Sequence, residues 1–170
     1  MFRSVYFIQY AFLLAIGFVS GVICFQAFSL DKSMNLIKLL DPRVLELSDV
    51  TLWQIFLPII VWGLFVLFFT THPYLHFFAK LVVAVKATFF GFGSVFLLTQ
   101  QESILVYSVW WFPFQLIYCI LLLALCSVFG TRKAGPNRKF VFNKKLFFTL
   151  AVAFTIMGLG EIMVISYIIN

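Results

Sequence analysis

The chain has 170 residues, of which 64% are hydrophobic and only 11% charged, and it carries a formal net charge of +6. Soluble domains carry about 25% charged residues, so this composition excludes a water-soluble globule and indicates a membrane protein. The positive balance sits in short connections between apolar runs, which excludes nucleic acid as a partner and fits attraction to the headgroups of a lipid bilayer.

A spanning helix needs about 20 apolar residues to cross a hydrocarbon core of about 30 Å. Five stretches meet that length, at residues 5–28, 52–70, 77–99, 104–129 and 146–169. They are about twice as long as a membrane-barrel strand and lack its polar alternation, so helices are the way to satisfy their backbone in lipid. The expected fold is all-α: one integral membrane domain over 1–170, a polytopic bundle of five helices. Arg3 precedes the first run as in a secretory signal, but the run is too long for a signal core and no small-x-small cleavage pattern follows. It reads as a retained helix.

Between the first two runs, residues 29–51 form an extramembrane segment. Leu30, Met34, Ile37, Leu40 and Val44 recur at helical spacing, with Asp31, Lys32, Lys38 and Asp41 between them, an amphipathic pattern. Asp41-Pro42 resembles an N-cap followed by proline at the first helical position, which predicts two short helices broken there and lying along the headgroups. The five apolar positions are a candidate docking face for an extracytoplasmic partner.

Further along, the connection 130–145 carries Arg132, Lys133, Arg138, Lys139, Lys144 and Lys145 without an acid. The excess of Lys and Arg in such a short loop makes it cytoplasmic. Alternation then puts the N-terminus in the cytoplasm and the C-terminus outside, and Asp31, Asp41, Glu46, Asp49 and Glu102 all fall on the outer side.

The last run contains a carboxylate, Glu161, in "GLGEIMVISYIIN". An ion in hydrocarbon is costly, so Glu161 is expected to face the bundle. Counting about 1.5 Å per residue from each cytoplasmic end puts Glu161, Ser20, Gln54 and Ser94 at one depth, with Gln115 about 3 Å away. This predicts an intramembrane polar layer to which each helix contributes one group. Gly17, Gly21, Gly91, Gly93 and Gly158 lie beside it, where glycine lets helices approach closely. Lys86 falls about 12 Å from the layer, within reach of the cytoplasmic interface by snorkelling.

No chemistry-bearing constellation emerges. His72 and His76 flank Pro73 without an accompanying carboxylate on that side, which argues against a metal site. Cys126 near the same end lacks an orienting acid for a nucleophile pair. Cys24, Cys119 and Cys126 all fall inside apolar runs and are expected to be buried small hydrophobes. The expectation is a non-enzyme without cofactor or metal, and self-association is left open.

"AIGFVSGVI", "VKATFFGFGSVFLL" with Lys86 followed by Gly91 and Phe92, "WWFPFQLIY" with Pro113 and Gln115, and Glu161 near the C-terminus together resemble the stage II sporulation protein M family of small multi-pass bacterial membrane proteins. Two features depart from it: a Thr-Pro ending is missing, and the helix-4 acid of many members is replaced by Tyr118 or a neighbour. The resemblance implies a scaffold for peptidoglycan hydrolases like stage II sporulation proteins D and P during engulfment in endospore formation. Family members found beside transporter components make a permease-like subunit of an ABC-type exporter the alternative.

Overall fold

A computed structural model describes the backbone of residues 2–45, 52–72, 74–100, 104–134 and 137–169, and the side chains of 8–45, 53–72, 74–99, 104–129 and 142–168. The chain folds as an all-α bundle. Its helices are α1 (Phe2–Ala27), α2 (Leu30–Leu40), α3 (Leu52–Thr70), α4 (His76–Gln100), α5 (a wide turn Val106–Trp111 running into Phe112–Leu125) and α6 (Lys144–Ile169). Among the described residues, five helices, all but α2, are long and apolar enough to cross a membrane. Their outward surface carries large exposed hydrophobics such as Ile8, Phe12, Leu64, Phe68, Ile156 and Met163, as a multi-pass protein solvated by lipid requires.

The spans alternate in direction. Along α1 and α4, Tyr10 meets Lys80, Phe18 meets Phe90 and Phe25 meets Phe96, so these two run parallel. Along α5, Trp111 meets Ser94 while Phe112 meets Phe90, which makes α5 antiparallel to α4. The glycines set the close approaches. A Cβ on Gly21 would collide with the Thr88 carbonyl, one on Gly91 with the Phe18 carbonyl, and one on Gly17 would come within 2.8 Å of the Ala84 carbonyl. Backbone touches backbone there, which only glycine permits. Gly93 instead makes room for the Trp111 ring and Gly158 for the Phe56 ring, each 2.5 Å from where a Cβ would stand.

The core divides into two clusters. One lies at the α2 end around Phe92, Phe96, Trp110, Trp111, Tyr118 and Ile165. The other lies at the opposite end around Val66, Val83, Leu122, Cys126 and Leu150. Cys119 is likewise buried, whereas Cys24 is exposed on α1 and so departs from the expectation for all three.

Two connections differ from expectation. The fourth spanning helix ends at Leu125 rather than 129, because the basic connection is an antiparallel hairpin, β1 (Phe129–Ala134) with β2 (Asn137–Phe142). Phe129 and Phe142 pair at its base with ring centroids 5.0 Å apart. The 29–51 segment, described as far as Leu45, breaks at Asp41 as expected, with α2 followed by a single turn Pro42–Val44. Residues 46–51 of that segment lie outside the described residues.

Candidate functional site: a buried ion cluster

The turn after α2 does not lie on the surface. Pro42 fixes the chain into a tight turn, and Arg43, one residue on, enters the bundle with only 1% of its surface exposed. Asp41, expected as a helix cap, makes no side-chain cap bond. Its carboxylate instead accepts a two-pronged contact from Arg43, Nε to Oδ1 and Nη2 to Oδ2, both at 2.7 Å. That fork geometry is what a guanidinium offers and an ammonium does not.

The third arm of Arg43 reaches α6, where Nη1 donates to Glu161 Oε1 at 2.8 Å. Glu161 is completely buried. Trp110 Nε1 donates to the same oxygen at 2.9 Å, and Tyr118 OH donates to Oε2 at 2.7 Å. A carboxylate in the bundle thus has three donors, from the α2 turn and from two levels of α5, as burial of an ion demands. Burial opposes the Arg43 charge, but the field of Asp41, its hydrogen bonds and the field of Glu161 outweigh it and hold the guanidinium above its ordinary value.

The wide turn in α5 explains how two consecutive tryptophans both point inward. Pro113 lacks the N–H that a regular helix would use. The helix widens just before it, with Phe112 N–H donating to Tyr107 O five residues back. A wider turn brings neighbouring side chains closer in direction, so Trp110 reaches Glu161 while Trp111 Nε1 donates to Ser94 Oγ at 3.1 Å. Ser94 Oγ in turn donates to the Phe90 carbonyl at 2.7 Å.

Of the expected polar layer, Ser94, Gln115 and Glu161 are buried, while Ser20 and Gln54 are half-buried. The donors gathered on Glu161 are Arg43, Trp110 and Tyr118, none of which belongs to that layer. Gln115 lines a cavity of ≈10 Å³ with Arg43, Lys86 and Tyr118, and its Oε1 has no hydrogen-bond partner among the described residues.

Lys86 does not snorkel. It is 8% exposed, with Nζ 5.9 Å from the centre of the Trp62 ring. It also lines a second cavity, of ≈20 Å³, together with Asp41. The depth count for Lys86 is not what failed; the α2 turn descends into the bundle and brings charge toward it. Asp41, Glu161, Arg43 and Lys86 then sum to zero formal charge in the interior.

The same descent corrects the docking face. Ile37 and Val44 are buried in the core and Leu40 is half-buried, whereas Leu30 and Met34 stay exposed, joined by Leu39 at 81%. Arg43 was legible in principle, as a cation between apolar neighbours in "LLDPRVL". Trp110 and Trp111 are buried, whereas Trp53 and Tyr167 are exposed. Among the described residues no cluster of His, Cys, Asp and Glu could hold a metal ion. Comparison with family models, with curated proteins and with solved structures gave no match.

Proposed function

We propose that this multi-pass membrane protein is a non-catalytic scaffold of the bacterial cell membrane, with a cytoplasmic N-terminus and an extracytoplasmic C-terminus. The observation that carries the reading is the Asp41–Arg43–Glu161 bridge. It fastens the turn after α2 to the last spanning helix, so the outward face of α2 is presented from a fixed platform. Leu30 and Met34, one turn apart, stand exposed along one flank of α2 beside Asp31 and Lys38, and Leu39 stands exposed on the other flank beside Lys32 and Asn35. Exposed apolar side chains interspersed with charges suit a protein partner.

The resemblance to the stage II sporulation protein M family supplies the partner class: extracytoplasmic peptidoglycan hydrolases resembling stage II sporulation proteins D and P, held in place during engulfment. The alternative, a permease-like subunit of an ABC-type exporter, draws on the buried charges and on a basic hairpin that an ATPase could meet. The cavities beside those charges, ≈20 and ≈10 Å³, are on the scale of single waters. That supports a fixed structural core over a substrate path.

The test replaces Leu30, Met34 and Leu39 with Ser and recovers partners from native membranes by mass spectrometry. The scaffold reading expects hydrolases to co-purify with the wild-type chain and to be lost from the variant while insertion is unchanged. Hydrolase recovery that ignores the replacement, or recovery of an ATPase in place of hydrolases, contradicts it.

A further inference from the structure

On the side of the bundle away from α3 and α6, α1 rests against α4 and stands apart from α5. The gap is a groove of ≈770 Å³, walled by Tyr10, Leu14 and Phe18 on α1 and by Leu116, Ile120 and Leu123 on α5, and floored by Ala87 and Phe90 of α4. Its lining is apolar from end to end, apart from the Tyr10 and Ser127 hydroxyls at one mouth.

The two ends differ. Towards α2 the groove is closed by aromatic rings, with Phe90 packed 4.9 Å from Phe18 and 5.5 Å from Phe112. At the other end it opens beside Lys80, whose Nζ stands 5.3 Å from the centre of the Tyr10 ring. Just beyond Ser127 the hairpin begins, and its register sets Arg132 opposite Lys139 and Lys133 opposite Arg138. The sequence has no acid between Glu102 and Glu161, so the basic residues of this stretch stand without acids in it.

The length of the groove decides between occupants. From Tyr10 to Val19 α1 rises about 14 Å, close to the roughly 15 Å of one leaflet's hydrocarbon. A partner helix would continue past the Phe18–Phe90–Phe112 closure, whereas an acyl chain ends there. We propose that this groove binds an anionic phospholipid, one acyl chain lying along α1 and α5 and the headgroup phosphate held at the mouth by Lys80. The site is independent of the scaffold reading, and neither stands on the other.

The experiment uses the full chain, delipidated in detergent, with binding followed by native mass spectrometry. The probes are dioleoyl phosphatidylglycerol and dioleoyl phosphatidylcholine, which share acyl chains and differ in headgroup charge. Phosphatidylglycerol should be retained in preference. Lys80→Ala should weaken that binding about five-fold, the factor that roughly 1 kcal/mol per basic residue near a lipid surface gives. Ala15→Trp and Ala124→Trp, which fill the groove from its lipid-facing walls, should abolish it, with an unchanged melting temperature in lipid-free detergent showing that the bundle is intact. Equal retention of the two lipids would overturn the proposal. So would phosphatidylglycerol preference that survives both tryptophans, or a lipid-free dimer that the tryptophans dissociate, which would make the occupant a second copy of the chain.

Discussion

Replacing Glu161 with Leu leaves three buried donors without their acceptor: Arg43 Nη1, Trp110 Nε1 and Tyr118 OH. Removing one partner of a buried ion pair costs about 3–5 kcal/mol, because the remaining charge stays desolvated. Glu161→Gln is milder. Its carbonyl oxygen still accepts from Arg43 and Trp110, and its amide can donate to the Tyr118 oxygen, so the loss is about 1–2 kcal/mol for trading a charged acceptor for a neutral one. For a chain of this size each kcal/mol moves the melting temperature by about 2–4 °C, so Leu should lower it by about 6–20 °C and Gln by about 2–8 °C. Intrinsic tryptophan fluorescence in detergent is the assay, with Trp110 itself as the reporter at the site. A Leu variant as stable as the wild type would refute the reasoning, and Gln as damaging as Leu would show that the charge, not the hydrogen-bonding shape, is what the bundle needs.

Arg43→Lys keeps the charge but not the fork, and should leave the turn after α2 cleavable by protease in intact vesicles several times faster than wild type; equal cleavage rates would argue against a clamp. Lys86→Met should cost less stability in a Glu161→Gln background than alone, by about 0.5–1.5 kcal/mol in a thermal double-mutant cycle, since the pair of changes restores a neutral interior; additive effects would separate Lys86 from the cluster. Gly21→Ala should destabilise by about 1–3 kcal/mol through the overlap with the Thr88 carbonyl, whereas Gly63→Ala, where a Cβ meets none of the described residues within 4 Å, should be silent in the same melt. Similar effects at the two glycines would undo the account of α1 against α4.

The spans were legible because a 20-residue apolar run in lipid has one backbone solution, and the expected and observed ends of α3 coincide at 52 and 70. Glu161 was legible as an inward-facing group because its alternative is a charge in hydrocarbon. Its partners were not. Depth arithmetic treats each helix as a straight rod, so it matched Glu161 with Ser20 and Gln54 by height alone and could not anticipate the widened turn that aims Trp110 inward. Nor could it anticipate that a connection outside the spans would send Arg43 down between them. The amphipathic pattern of residues 30–44 carried the right period, but periodicity does not say whether the apolar side meets lipid, a partner or the bundle, and for Ile37 and Val44 it is the bundle. Lys86 was misjudged for a related reason, since a lysine near the interface snorkels only if nothing in the interior balances it.

The central claim is that Arg43 and Glu161, 118 positions apart in sequence, are direct partners inside the bundle. A double-mutant cycle between Arg43→Met and Glu161→Leu, read by thermal unfolding in lipid nanodiscs, measures that contact alone. The account predicts a coupling of about 1.5–3 kcal/mol, with the double variant more stable than the sum of the single losses implies. Coupling within about 0.5 kcal/mol of zero, the range of independent sites, would contradict it.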